Sequence, residues 1–356
     1  MNPIKMNTND KYDIIELQET LQIYSLQIYE LLQDYDFSQS INEYSLSLNI
    51  NESGDHVIAL DEQADKISEM CFKTNPLIYG FISEERKDLV VTNKQGKYIV
   101  TIDPLDGSQN IRVGLNVGAI FGIYKQNNYE KIQNGRDLIA AGYVLFSTAI
   151  QFVFTIKDTK YYRYNFKNKT WTLIRKNLKI PDGGSIYSIN EGYSEHFFYH
   201  TKNTLKKLKN DPSLVKPRSS RWMCCMVADI HRNLMDGGCF LYPCNKISSG
   251  KLRLVYELYP MAFIWEKSGG KAYIDLNENN NKYYLIGTNI EKMIEYSKKL
   301  DLLNIPFSKP ARLSKINSQF KEAKSNNFQY VINSDEDTIK NLADNTTVEF
   351  SEKELL

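Results

Sequence analysis

The 356-residue chain has almost no excess of either charge: 44 Lys+Arg stand against 43 Asp+Glu, for a formal net charge of +1. A dedicated nucleic-acid binder concentrates Lys and Arg to neutralise phosphates, so this balance argues against that class while leaving room for a local basic pocket. No apolar run approaches the roughly 20 residues that a membrane-spanning helix requires. The opening MNPIKMNTNDKYD has no apolar stretch of the secretory kind, so a cytoplasmic protein is expected. Cysteine is sparse and unpatterned. Cys71, Cys224, Cys225, Cys239 and Cys244 are odd in number and lack CxxC spacing, which indicates neither a disulfide framework nor a zinc site. There is no internal repeat. What remains is an ordinary globular composition, with 42% hydrophobic and 24% charged residues. The length suits two domains or one large two-lobed fold.

Ile14, Leu17, Leu21, Tyr24, Ile28, Leu31 and Leu32 recur at spacings of three and four, which predicts an amphipathic helix over 13–33. A polar loop from Ser38 to Gly54 separates it from a second helical pattern over 61–71. Apolar, β-branched runs at 77–82, 98–102, 117–124, 138–145 and 150–156 predict strands, and 160–175 alternates like a hairpin around Lys167-Asn168-Lys169. Helical stretches over 221–236 and 257–268 stop at Gly237-Gly238 and Gly269-Gly270, because glycine enters the left-handed region cheaply. From Asp301 onward the sequence is polar and weakly periodic, and reads as a tail with some helix. One helix, several strands, then later helices among shorter strands fit a layered mixed α/β (α+β) protein better than a doubly wound sheet.

Carboxylates concentrate where the predicted strands end. Glu84 and Glu85 follow the run LIYGFI, Asp103 and Asp106 flank a Pro-Leu step after YIVTI, and Asp55 and Asp61 lie around the start of the second helix. Each segment alone has an ordinary reading. Glu-Glu pairs are usually solvated, Asp-Pro-x-Asp-Gly-Ser forms plain turns, and Asp61 suits a helix N-cap. Brought together, these acids repel and raise one another's pKa, so a shared site is stable at neutral pH mainly when cations fill it. Hard oxygen donors select Mg²⁺ or Mn²⁺, and paired cations suit in-line phosphoryl transfer.

The stretch ISEERKDLVVTNKQGKYIVTIDPLDGSQNIRVGLNVGAIFGIY resembles the metal-binding core of the fructose-1,6-bisphosphatases, part of a lithium-sensitive, magnesium-dependent phosphatase superfamily that shares the DP(I/L)DG turn. SIYSINEGY, MVADIHRNLMDGGCFLYP and GKLRLVYELYPMAFIWEKSGGKA follow in the expected order, so the resemblance covers residues 13–300. It implies a layered α/β/α/β/α sandwich. An N-terminal lobe over 1–180 would carry a mobile loop and the metal-binding motifs, a C-terminal lobe over 181–300 the sugar-phosphate pocket, and 301–356 a polar extension.

The resemblance further implies Glu84, Glu85, Asp103, Asp106 and Glu257, with the backbone carbonyl of Leu105, as ligands of two to three Mg²⁺ or Mn²⁺ ions. Asp55 and Asp61 match the two aspartates of the mobile loop in GDHVIALD, and Asp61 with Glu85 would help deprotonate the attacking water. Gly107 and Ser108 would cradle the transferred phosphate. Asn190, Tyr193, Tyr242 and Lys251 would hold the distal phosphate and sugar, with Arg221 reaching in from a neighbouring subunit of a homodimer or homotetramer.

The chain also departs from the family pattern. Trp222 stands where tyrosine is usual, and its indole offers a single N–H donor. Ile58 and Ala59 replace two lysines of the mobile loop, and Gln109 and Arg112 replace a serine and an aspartate. At the AMP site of many relatives, Ile14-Ile15 replaces threonine–glycine and Lys125 an arginine, while Glu16, Lys97 and Tyr98 match. Two isoleucines impede the approach of a phosphate to a helix N-terminus, so weak or absent AMP inhibition is expected. The cysteine-bearing insertion of light-regulated plastid enzymes is missing.

The expectation is a cytoplasmic Mg²⁺-dependent hydrolase converting fructose 1,6-bisphosphate to fructose 6-phosphate and phosphate in gluconeogenesis. Sedoheptulose 1,7-bisphosphate is the alternative substrate, and a catalytically silent subunit the alternative role. Retention of every expected carboxylate argues against the latter.

Overall fold

The computed structural model describes residues 8–34, 59–126, 135–182, 184–210, 217–248, 252–276, 282–287, 299–301, 330–333, 338–341 and 347–349. Helices α1 (Thr8–Asp34) and α2 (Ala59–Thr74) lead the chain. Ile14, Leu17, Leu21, Tyr24 and Ile28 form the buried stripe of α1, which packs with Leu60, Ala64 and Phe72 of α2. These two helices cover one face of an eight-stranded sheet built from β1 (Ile78–Ser83), β2 (Val90–Val91), β3 (Tyr98–Asp106), β4 (Val117–Lys125), β5 (Ala140–Phe146), β6 (Ile150–Thr155), β7 (Thr159–Asn165) and β8 (Thr170–Arg175). The order is β2-β1-β3-β4-β5-β6-β7-β8, with β1 parallel to β3 and every other pair antiparallel.

The central strands are buried on both faces, and this explains why they read as continuous apolar runs rather than as alternating ones. In β4, Ala119, Phe121 and Ile123 point to the α1–α2 core while Ile120 points the other way.

That second face meets a helical layer shared with a second sheet. The chain continues through β9 (Ile186–Ser188), α3 (Tyr199–Lys209), β10 (Ser219–Ser220), α4 (Met226–Asp236), β11 (Cys239–Pro243), α5 (Tyr259–Lys267), β12 (Lys271–Leu276), β13 (Lys282–Gly287) and β14 (Lys299–Asp301). The second sheet has the order β10-β9-β11-β13-β12-β14. Val227, Ile230 and Leu234 of α4 and Met261 to Trp265 of α5 join Ile120 and Tyr143 below to Phe240 and Ala272 above in one core. Gly118 makes this close approach possible, because a Cβ there would lie 2.6 Å from the Val227 Cβ. On the far side, Leu205 and Leu208 of α3 pack against Tyr187, Cys239 and Leu241. The layers therefore run α1–α2, sheet, α4–α5, sheet, α3: the expected α/β/α/β/α sandwich.

Several boundaries differ from the sequence reading. The helix expected from 221 begins only at Met226, because Cys224 adopts φ 56° and Cys225 is an extended N-cap. The helix expected from 257 is entered through one turn of π-helix over Leu254–Leu258, with the Leu258 N–H donating to the Arg253 carbonyl at 3.0 Å. Pro260, which has no N–H to give, follows at the start of α5. Strand β3 runs four residues past its expected end and takes in Asp103-Pro104-Leu105-Asp106, with a register irregularity against β4 between the two aspartates. Beyond Asp301, which ends β14, the described residues of the polar tail form a three-stranded antiparallel sheet of β15 (Tyr330–Asn333), β16 (Thr338–Asn341) and β17 (Thr347–Glu349). The helix expected there lies outside the described residues, as does the polar loop from Ser38 to Gly54.

Candidate active site

The parallel pair β1–β3 delivers two acidic segments to the same end of the first sheet. Glu84 follows β1 directly, and its N–H donates to the Ile102 carbonyl of β3 at 3.0 Å, so it stands beside Asp103. The irregularity that holds Pro104 turns the strand, and two bonds fix it. The Tyr24 hydroxyl of α1 donates to the Pro104 carbonyl at 2.8 Å, and the Leu105 N–H donates to Asp103 Oδ1 at 3.1 Å. Glu257 enters from the π-helical turn. Carboxylate oxygens of Glu84, Asp103 and Glu257 all lie within 4.8 Å of one another. Asp103 and Glu257 are only 4% and 3% exposed.

Arg253 faces this cluster closely. Arg253 Nη2 pairs with Glu84 Oε1 at 2.8 Å, and the Arg253 N–H donates to Glu257 Oε2. It does not offset the crowding. Burial, followed by repulsion from Glu84, Asp106 and Glu257, holds the Asp103 carboxyl well above its ordinary range, and burial raises Glu257 in the same direction against the pull of Arg253. Buried acids without enough compensating charge are the donor set that a hard divalent cation relieves, and oxygen-only ligation fits Mg²⁺ or Mn²⁺ rather than a softer metal.

Asp106 sits at the other side of the irregularity, under the N-terminus of α4. It accepts the Val227 N–H at 2.7 Å and the Cys225 thiol at 3.0 Å. These donors partly offset the rise that burial imposes on it. Cys225 Sγ also accepts the Ala228 N–H at 3.4 Å as the helix cap. Gly107 follows at φ 77° and opens a 3₁₀ turn over Ser108–Val113. The Ser108 hydroxyl donates to Asp61 Oδ2 at 3.3 Å, which brings the buried first turn of α2 to the same place. One and two turns further along α2, Asp65 and Glu69 are held by Arg86 at 2.5 and 2.6 Å. Glu85 lies among these groups, and burial first, then Glu84, Asp61 and Asp65, push it up to about 8 against the pull of Arg253.

The second group of expected residues lies on the other sheet. Arg221 follows β10 and is exposed, with its Nη1 donating to the Ser220 carbonyl at 2.9 Å. Trp222 stacks on Phe240 of β11 with centroids 6.1 Å apart and planes 16° apart, and tilts against Tyr242 at 6.3 Å. The Trp222 indole N–H is buried and bonds to no partner among the described residues. Asn190 caps the 3₁₀ turn Glu191–His196 through the Gly192 N–H at 3.0 Å, and Tyr193 on that turn is exposed. Asp55 and Lys251 lie outside the described residues.

Arg253 was not singled out from the sequence. Its signal was a cation four residues before Glu257, one turn away, in a segment read for Lys251 and Glu257 alone. Asn110 and Asp229 were also missed; each is an interior polar side chain bonded to the Met223 peptide, which lies 113 residues from Asn110 and outside the helix that carries Asp229, so no periodic pattern reveals it.

A five-layered α/β protein with hard oxygen donors gathered at the ends of parallel strands is a divalent-cation phosphate enzyme in its construction. Comparison with known proteins makes this specific. Residues 13–176 match the model of the fructose-1-6-bisphosphatase N-terminal domain, and residues 180–280 that of the C-terminal domain. The fructose-1,6-bisphosphatase of Schizosaccharomyces pombe is 38% identical over 248 residues, 67% of this chain and 71% of that protein. Fructose-1,6-bisphosphatase 1 of Bos taurus is 38% identical over 239 residues, 64% of this chain and 71% of that protein. The crystal structure of Leishmania major fructose-1,6-bisphosphatase in holo form superposes with a TM-score of 0.69 at 26% identity, over 81% of this chain and 94% of that one. The chain belongs to the fructose-1,6-bisphosphatase family.

Proposed function

We propose that the protein hydrolyses fructose 1,6-bisphosphate to fructose 6-phosphate and phosphate, with its carboxylate cluster holding divalent cations. The observation that carries this reading is the meeting of Glu84, Asp103 and Glu257 within 4.8 Å, the last two buried, in a chain whose relatives bear that enzyme's name. Glu84, Glu85, Asp103, Asp106, Glu257 and the Leu105 carbonyl are the proposed ligands. Bound there, the cations neutralise the acids and lower the pKa of a coordinated water.

The chain's own groups do the rest. Asp61 and Glu85 take up the proton of the attacking water, a task that needs no strong base because a bound cation would already lower the pKa of that water. Backbone N–H groups of the turn from Gly107 and Ser108 orient the transferred phosphate. The Trp222–Tyr242 shelf with Asn190 and Tyr193 receives the sugar and its distal phosphate, and exposed Arg221 is available to a second subunit, as a homo-oligomer requires.

The test is phosphate release from fructose 1,6-bisphosphate with Mg²⁺ or Mn²⁺. Glu85→Gln and Asp61→Asn are each expected to lower kcat by roughly 10²- to 10⁴-fold, the range of a lost acid–base group. A wild-type protein that releases no phosphate, or a Glu85→Gln variant with full activity, would sink the reading.

A further inference from the structure

Residues Arg221–Cys225 form a strap between β10 and α4 that touches both parts of the site. Its first N–H, that of Arg221, continues the pairing of β10 by donating to the Tyr187 carbonyl at 2.8 Å. Trp222 then lies on the aromatic shelf, and at the far end Cys225 caps α4 and reaches Asp106. The middle residue, Met223, is gripped from both sides. Its N–H donates to the two carboxylate oxygens of Asp229 at 3.2 and 3.0 Å, and its carbonyl accepts Asn110 Nδ2 at 2.8 Å. The same Nδ2 donates to the Asn116 carbonyl at 2.9 Å, so both of its hydrogens are committed. Asn110 is 6% exposed and Asp229 is fully buried.

Asn110 also belongs to the turn that Gly107 and Ser108 open. Its N–H donates to the Gly107 carbonyl at 2.8 Å, and its carbonyl accepts the Leu115 N–H at 3.0 Å. One buried carboxamide thus ties the turn bearing Gly107 and Ser108 to the strap bearing Trp222.

We propose that Asn110 is a positioning residue for a ligand with two phosphates: it fixes the distance between the Gly107–Ser108 cradle and the Trp222 shelf without touching the ligand. The inference rests on the function proposed above. A bisphosphate engages two subsites at once, so a shift in their spacing weakens it, whereas an ester with a single phosphate at the cradle is indifferent to where the shelf stands. Asp229 completes the grip from the opposite side of the Met223 peptide, which explains a carboxylate buried there with its pKa lifted to about 7 by desolvation.

The test compares wild type with Asn110→Asp, which removes both donors and sets a charge against two carbonyls, and with Asn110→Ser, which removes the link without adding charge and serves if the first variant fails to fold. KM for fructose 1,6-bisphosphate is expected to rise about tenfold or more with kcat nearly unchanged, while kcat/KM for p-nitrophenyl phosphate stays within about twofold. Calorimetric affinity for fructose 6-phosphate, whose single phosphate lies at the shelf, also stays within about twofold. An unchanged KM for the bisphosphate overturns the proposal, and so do equal losses on both substrates, which would make Asn110 part of the cradle or of general stability. Should wild type release no phosphate, the functional reading fails separately, and calorimetric titration of fructose 1,6-bisphosphate, then not turned over, still decides: weaker binding by the variants supports the link, equal binding refutes it.

Discussion

At the scale of single residues, the site depends on what is missing at Gly107. Its φ of 77° lies where an L side chain is strained, and a Cβ there would lie 2.7 Å from the Cys225 Cβ. Cys225 has no room to retreat, because its thiol is bonded to Asp106 and caps α4. Gly114, seven residues on, provides an internal control: its φ is 68°, but a Cβ there would meet nothing within 4 Å. Gly114→Ala therefore carries backbone strain alone, on the order of 1–2 kcal/mol. Gly107→Ala carries the same strain plus overpacking, adding roughly 1–3 kcal/mol. Thermal unfolding of the two variants side by side checks this, and equal midpoints would show that the Cys225 contact yields freely. The acids proposed as ligands could be picked out residue by residue because they stand in contiguous motifs. Arg253 and Asn110 were not, since their meaning comes from contacts made only after the π-turn and the strap have folded.

At the scale of elements, the sequence revealed most of what periodicity can reveal. The buried stripe of α1 and the strands β1, β3, β4, β5 and β6 were read nearly in place, because long runs buried on one or both faces leave a strong pattern. Boundaries shifted where tertiary contacts override local preference. Pro104 reads as a strand stop, yet β3 continues through it because the irregularity against β4 removes the need for its missing N–H. Element α1 also changes the grounds for expecting little AMP inhibition. The helix is already under way at Thr8, so Ile14 and Ile15 do not obstruct a helix N-terminus, and Ile14 is a core residue. Instead, acids of α1 engage Lys97, Tyr98 and the substituted Lys125: Lys97 pairs with Asp13 at 3.0 Å, Lys125 with Asp10 at 2.8 Å, and the Tyr98 hydroxyl bonds to both aspartates. A phosphate arriving there has to displace two carboxylates. Activity titrated against AMP is expected to show no inhibition at micromolar concentration, and strong micromolar inhibition would mean that α1 yields its ion pairs to the nucleotide.

At the scale of the whole molecule, two sheets and a shared helical layer force acids from three distant segments into one cleft, and the fold bears that repulsion when cations are removed. The sign follows from the pKa shifts. Glu85 is raised from 4.5 to about 8, and Asp103, Asp106 and Glu257 are raised as well, so above the unfolded values the folded state binds more protons than the unfolded one. Stability held by these groups is complete below about pH 4.5 and is lost as pH climbs toward the folded values. His231 works in the opposite sense: burial lowers it to about 4, so its contribution is lost as pH falls below 6.5. Between about pH 6.5 and 8 the raised acids dominate, each costing up to about 1.4 kcal/mol per pH unit while it stays protonated in the folded state alone. The cation-free protein is therefore expected to melt at progressively lower temperature across that interval. Mg²⁺ favours the ionised carboxyls and binds with release of protons, so its stabilising effect grows over the same range. Thermal unfolding with chelator and with saturating Mg²⁺ at both ends of the interval measures the difference. A Mg²⁺ increment equal at the two pH values would mean that the acids of the cleft are not what the cation relieves.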